Sequence, residues 1–150
     1  MLKKVGLMIA VILVIIQFIP YELPEVVIEN PNDIIITSDV PEEVAQLLKA
    51  SCYDCHSNET VYPWYSYVAP VSFFVGDHVV EGRDELNFSN WSMMTTKKKL
   101  HKLEEMVEEV EEGEMPLKMY PLTHPEASLS ESDKELLTTW ANKLTKSLLK

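Results

Sequence analysis

Apolar residues run almost unbroken from residue 5 to residue 19, interrupted only by Gln17 and preceded by Lys3 and Lys4. Beyond this block the pattern becomes helical. Residues 41–50, PEEVAQLLKA, bring Val44, Leu47 and Leu48 to one face behind a first-turn proline, which predicts a short helix. The next stretch, VYPWYSYVAP, sets two prolines among four aromatics and reads as a structured loop. A second helix is predicted over residues 70–85 and a break over 87–91. From residue 95 to 112, Leu100, Leu103, Met106, Val107 and Val110 recur at helical spacing, and Gly113 stands where a helix C-cap belongs. The last helix is predicted from residue 131 to about 148. Ser130 and Asp133 form its capping box, and Leu136, Leu137, Trp140, Leu144 and Leu148 form its inner face. No alternating run of strand length, no internal repeat and no low-complexity tract occurs. The fold class is all-α, a small domain of about four helices.

The N-terminal block has the character of an export signal or a short membrane anchor. At ~1.5 Å per residue it covers only ~22 Å of a ~30 Å hydrocarbon core, so it is short for a span. The following PYELPEVV has no small-x-small pair for a signal peptidase and no lipidation cysteine. An uncleaved N-terminal membrane helix is therefore the expectation, with a cleaved signal as the alternative. The basic pair before the run places the rest of the chain outside the cytoplasmic membrane. The expected organisation is a signal-anchor at 1–20, an extended linker at 21–40, which carries two prolines and little periodicity, and one domain at 41–150. This makes an inner-membrane, single-pass protein with its domain on the periplasmic side.

Charge narrows the partners. Without Lys3 and Lys4 the chain carries 11 basic against 24 acidic residues, a net of −13. Nucleic acid and anionic lipid headgroups are poor matches for such a surface. The predicted third helix is charged against its own dipole, with Lys97, Lys98 and Lys99 in its first turn and Glu108, Glu109, Glu111 and Glu112 near its end. Packing must hold it. The same glutamates form a solvated face that also suits a basic redox partner.

Both cysteines of the chain lie in SCYDCH, residues 51–56. Zinc would need a second ligand pair, and His78, His101 and His124 are isolated from one another. A thioredoxin-like site would need strands that the pattern does not offer. Cys-x-x-Cys-His is the attachment signature of c-type haem. Each thiol adds across one vinyl group, and a helical turn presents the next imidazole to the iron. Cys52 and Cys55 are the expected thioether anchors and His56 the proximal ligand. One covalent haem c requires the haem c maturation machinery. No nucleophile–base constellation or phosphate loop accompanies the motif, so an electron carrier is favoured over a catalyst.

The stretch from SCYDCHSNETVYPWYSYVAPVSFFVGDHVVEGRDELNFSNW to EGEMPLKMYPLTHPEASLSESDKELLTTWA resembles the bacterial haem-binding domain family of small c-type cytochrome-like proteins, many with one N-terminal membrane segment. The resemblance covers about residues 40–142. The family often has a tryptophan near Phe73 or Phe74 and a second proline at Leu117, so this chain departs from it at both places. A cytochrome c-like helical fold around a covalent haem is what the resemblance implies.

The sixth iron ligand separates electron transfer from small-molecule binding. Met115, in GEMPL, is the first candidate, because it lies on a constrained loop where small monohaem cytochromes c present methionine. His78, which the resemblance includes, is the alternative. Met119 and His124 are further options on the loop. Trp64 and Tyr65 can wall the porphyrin or form plain aromatic core. The carbonyl of Pro63 or Pro70 can orient His56. Arg83, the single arginine, suits a haem propionate but can equally pair with Asp84 or Glu81. The expected function is a membrane-tethered, extracytoplasmic monohaem cytochrome that passes single electrons to a redox partner protein. The alternatives are a haem sensor or peroxide-handling protein with an open distal site, and a haem-carrying subunit of a larger redox complex.

Overall fold

A computed structural model describes all of residues 1–150. It is all-helical, as the hydrophobic pattern predicts. Eight α-helices follow one another: α1 Leu2–Ile15, α2 Ile34–Thr37, α3 Glu42–Ser51, α4 Tyr53–His56, α5 Val71–Glu85, α6 Thr96–Glu112, α7 Tyr120–Thr123 and α8 Glu131–Leu148. Short 3-10 turns occupy Trp64–Tyr67, in the aromatic loop, and Phe88–Met93, where the pattern predicts a break.

Helix α8 packs against both α6 and α3, and α4 bridges α3 and α5. The core between them gathers Val44 and Leu48 from α3, Tyr53 from α4, Phe88 and Trp91 from the 88–93 turn, Leu103 from α6, and Leu137, Trp140, Ala141 and Leu144 from α8. Each large apolar side chain buried there contributes roughly 1.5–3 kcal/mol. That burial is what stabilises α6 against its adverse end charges, since no acidic residue lies in its first turn and no basic one in its last. Local chemistry fixes the ends. Ser130 and Asp133 form the full capping box of α8, and Gly113 ends α6 at φ 73°, ψ 25°, a left-handed conformation natural to glycine.

The N-terminal region departs from the sequence expectation in two ways. No helix is long and apolar enough to cross a membrane, which corrects the expected membrane helix and with it the single-pass, inner-membrane location. Helix α1 has 14 residues, too few at ~1.5 Å each for a ~30 Å core. The apolar run does not continue it, because the chain tightens into a 3-10 turn at Ile16–Phe18 and leaves helical geometry at Ile19. Gln17 there turns its amide to the backbone of Ala69, donating to the carbonyl (2.8 Å) and accepting from the N–H (3.0 Å).

Residues 21–40 are extended in part but do not behave as a free tether. Val27 N–H donates to the Asn58 carbonyl (2.8 Å), Tyr62 O–H to the Pro24 carbonyl (3.0 Å) and Tyr21 O–H to Asp77 (3.1 Å). A Cβ on Gly76 would collide with the Tyr21 ring. Ile34 is fully buried in the core, and Asp33, also buried, caps α2. A two-proline segment looks like a linker in sequence because its contacts are made to residues distant along the chain.

Candidate functional site

The site begins at α3, whose C-terminal residue Ser51 leads directly into Cys52, and α4 then adds a single turn through His56. Tyr53, between the thiols, is buried, stacks on Phe88 (5.4 Å between centroids) and donates its O–H to Asp33 (2.8 Å). Ser57 closes the turn: its hydroxyl donates to the Tyr53 carbonyl (2.7 Å) and accepts from Glu59 N–H (2.9 Å). The helical turn expected for this motif is thus anchored at both ends.

Both cysteines are free and half-buried. Burial pushes the Cys52 thiol up to about 12 and the Cys55 thiol to about 11, with Asp54 adding to the effect at Cys55. A redox Cys-x-x-Cys pair needs a depressed thiol pKa, so this pair is unsuited to disulfide exchange. No group of three or more His, Cys, Asp or Glu side chains is placed to hold a metal ion.

His56 sits with its Nδ1 2.9 Å from the Gly82 carbonyl and 3.0 Å from that of Leu86, at the end of α5. Carbonyl oxygens only accept, so Nδ1 carries the proton and the lone pair resides on Nε2. Burial lowers the pKa of the ring and keeps it neutral. A neutral imidazole with its far nitrogen fixed by a carbonyl is the form in which histidine ligates a metal. The sequence expectation of a Pro63 or Pro70 carbonyl is corrected here: α5 packs closely on α4, and its terminal carbonyls reach the ring first. Gly82 permits the approach, since a Cβ there would stand 2.7 Å from the Cys55 carbonyl oxygen. A lone glycine inside a helical pattern is the signal that could have revealed it.

Arg83 lies beside the motif and engages three neutral acceptors. Its guanidinium donates to the carbonyls of Ser57 (2.8 Å) and Glu25 (2.9 Å) and to the Thr60 hydroxyl (3.0 Å). It makes no ion pair with Asp84 or Glu81, and it stitches the 21–33 segment to the residues that follow His56.

The other candidates are more dispersed. Trp64 is 78% exposed. Tyr65 is half-buried and donates to His124 Nε2 (2.6 Å). His78 places its Nδ1 2.8 Å from the Phe74 carbonyl and rests its ring on Phe74, one turn earlier in α5. Met115 is half-buried just past the Gly113 cap, where its N–H and that of Glu114 both donate to the Glu109 carbonyl, and Met119 is exposed. The loop carrying Met115 returns to the motif through Tyr120, whose O–H donates to Asp54 (2.5 Å). Sequence reading missed Asp54 and Tyr120, because nothing in a chain announces a hydrogen bond across 66 residues.

The family model of the haem-binding domain matches residues 11–143 of the chain. The chain belongs to the haem-binding domain family. Haem is therefore its cofactor, and among the candidate residues His56 has the tautomer of a metal ligand while Cys52 and Cys55 carry free thiols. The match begins within the N-terminal helix and includes the 21–40 segment, in keeping with the packing of that segment on the rest of the fold. No curated protein and no solved structure matches the chain.

Proposed function

We propose that this haem-binding protein is a monohaem c-type cytochrome that transfers single electrons. The observation that supports the reading best is His56, one residue after Cys55: its Nδ1–H is held by the Gly82 and Leu86 carbonyls, which leaves the lone pair on Nε2. Cys52 and Cys55 would hold the haem, each adding its S–H across one vinyl C=C so that one carbon gains the sulfur and the other the hydrogen, with help from the haem c maturation machinery. Bound haem supplies a ferric–ferrous couple that gains or loses one electron. The chain orients His56, and Met115 would hold the iron as a second ligand, a soft thioether that favours the reduced state. Arg83 serves the site by fixing Ser57 and Thr60, and its remaining N–H groups are available to a propionate. The formal charge of −11 matches a basic redox partner protein.

Expression of the full chain with haem c maturation factors tests this. Haem should stay with the polypeptide through denaturing electrophoresis, and it should be lost in the Cys52→Ala, Cys55→Ala double variant. Covalent haem in that variant would overturn the attachment. The reduced protein should keep its visible spectrum under carbon monoxide, whereas Met115→Ala should shift readily. A wild-type protein that binds carbon monoxide at once would instead have an open iron and be a sensor or peroxide-handling protein.

A further inference from the structure

Asp54 lies between the two thiols, and both of its carboxylate oxygens are engaged. Oδ1 accepts from Val61 N–H (2.8 Å) and Oδ2 accepts from the Tyr120 O–H (2.5 Å). Val61 lies close along the chain, and its bond shapes the turn after His56. Tyr120 comes from the other side of the sequence, at the start of the short helix α7 in the connection between α6 and α8, five residues after Met115. Its ring is half-buried and stacks on His124 (4.4 Å, 17° between planes), and His124 accepts in turn from Tyr65. Burial and the bond to Asp54 both push the Tyr120 phenol above its ordinary pKa, so it remains a donor at any physiological pH. The loop is thus fastened to the attachment motif by one charge-assisted bond and to the 64–67 turn by a second, neutral one. Nothing about haem attachment itself calls for a carboxylate at position 54, since the thiols and the imidazole complete that chemistry.

We infer that Asp54 and Tyr120 are positioning residues: their hydrogen bond straps the Met115 loop to the attachment motif and governs how readily the iron's sixth position opens. The inference rests on the c-type reading with Met115 as ligand. A phenol–carboxylate bond is among the stronger hydrogen bonds. Its loss frees Tyr120 from the motif and leaves the loop fastened through the Tyr65–His124 bond and the packing of residues 125–127 on α3.

The test uses the full chain carrying haem, as wild type, Tyr120→Phe, Asp54→Asn, Asp54→Ala and Met115→Ala. Three quantities are read: carbon monoxide association with the reduced protein, the methionine–iron charge-transfer band of the oxidised protein, and amide hydrogen exchange over residues 117–124. Tyr120→Phe should leave covalent haem in place, raise carbon monoxide association about tenfold and weaken the band, in line with the loss of a hydrogen bond to a charged group. Asp54→Ala should do the same. Asp54→Asn keeps a single acceptor oxygen, which can serve Tyr120 only by setting its amide NH2 against the Val61 N–H, so it should fall between wild type and Asp54→Ala. Carbon monoxide association and band unchanged in both Tyr120→Phe and Asp54→Ala would overturn the strap. A wild-type spectrum in Met115→Ala would overturn the Met115 assignment instead. Hydrogen exchange then decides the strap separately: faster exchange over 117–124 in Tyr120→Phe retains it, and unchanged exchange refutes it.

Discussion

Gly82 and His56 illustrate how single atoms set the chemistry of the site. The hydrogen of a glycine Cα lets α5 approach until its last carbonyls reach the imidazole. A methyl there would meet the Cys55 carbonyl oxygen at 2.7 Å and its Cβ at 3.1 Å. An alanine inside a helix ordinarily gains up to ~1 kcal/mol over glycine. Here the contact is with backbone, which cannot swing away, and overpacking costs about 1–3 kcal/mol. Gly82→Ala should therefore destabilise the protein despite its better helix propensity, as a lower midpoint in urea denaturation would register. It should also lower the yield of attached haem, because the displaced carbonyls no longer orient His56. A gain in stability would mean that the two helices yield freely.

Among the elements, α6 shows most clearly how local and distant forces divide the work. Its sequence is amphipathic enough to announce a helix, yet its charges oppose its dipole, and the burial of Leu103 and Val110, with α8 packed alongside, offsets them. Its end is a different matter. Gly113 adopts φ 73° with nothing within 4 Å of a would-be Cβ, so its role is conformational alone. Gly113→Ala should cost about 1 kcal/mol by the left-handed penalty, and Gly113→Asn less. Thermal unfolding of the two variants checks the order. Because Met115 follows two residues later, the alanine variant should also disturb the visible spectrum, whereas a cap of purely structural value would leave it untouched.

Across the whole molecule, the segment before the first predicted domain helix is part of the core. Ile34 is fully buried with Val44, Leu48 and Trp91 in one cluster, and Arg83 holds Glu25 from the far side. Ile34→Ala should cost about 2–5 kcal/mol, the range for truncating a buried large aliphatic residue. A urea midpoint equal to wild type would return residues 21–40 to the status of a tether. The N-terminal helix belongs to this scale as well. Its apolar composition suggested a membrane span, but its length is set by the turn at residues 16–18 and by the grip of Gln17 on Ala69.

By itself the sequence determined the all-helical class and the placement of the long helices, and it singled out Cys52, Cys55 and His56 as candidates, because helical period, caps and a Cys-x-x-Cys-His spacing are local properties. Arg83 was legible as a residue with a task but not for which acceptors, and Met115 as a candidate on a loop but not for what ties that loop down. Tertiary structure alone decided that the Gly82 and Leu86 carbonyls orient the imidazole, that Asp54 receives Tyr120, and that residues 21–40 join the core. Backbone carbonyls look alike in every sequence, and contacts between distant residues have no period to betray them. They exist only once packing has brought the elements together.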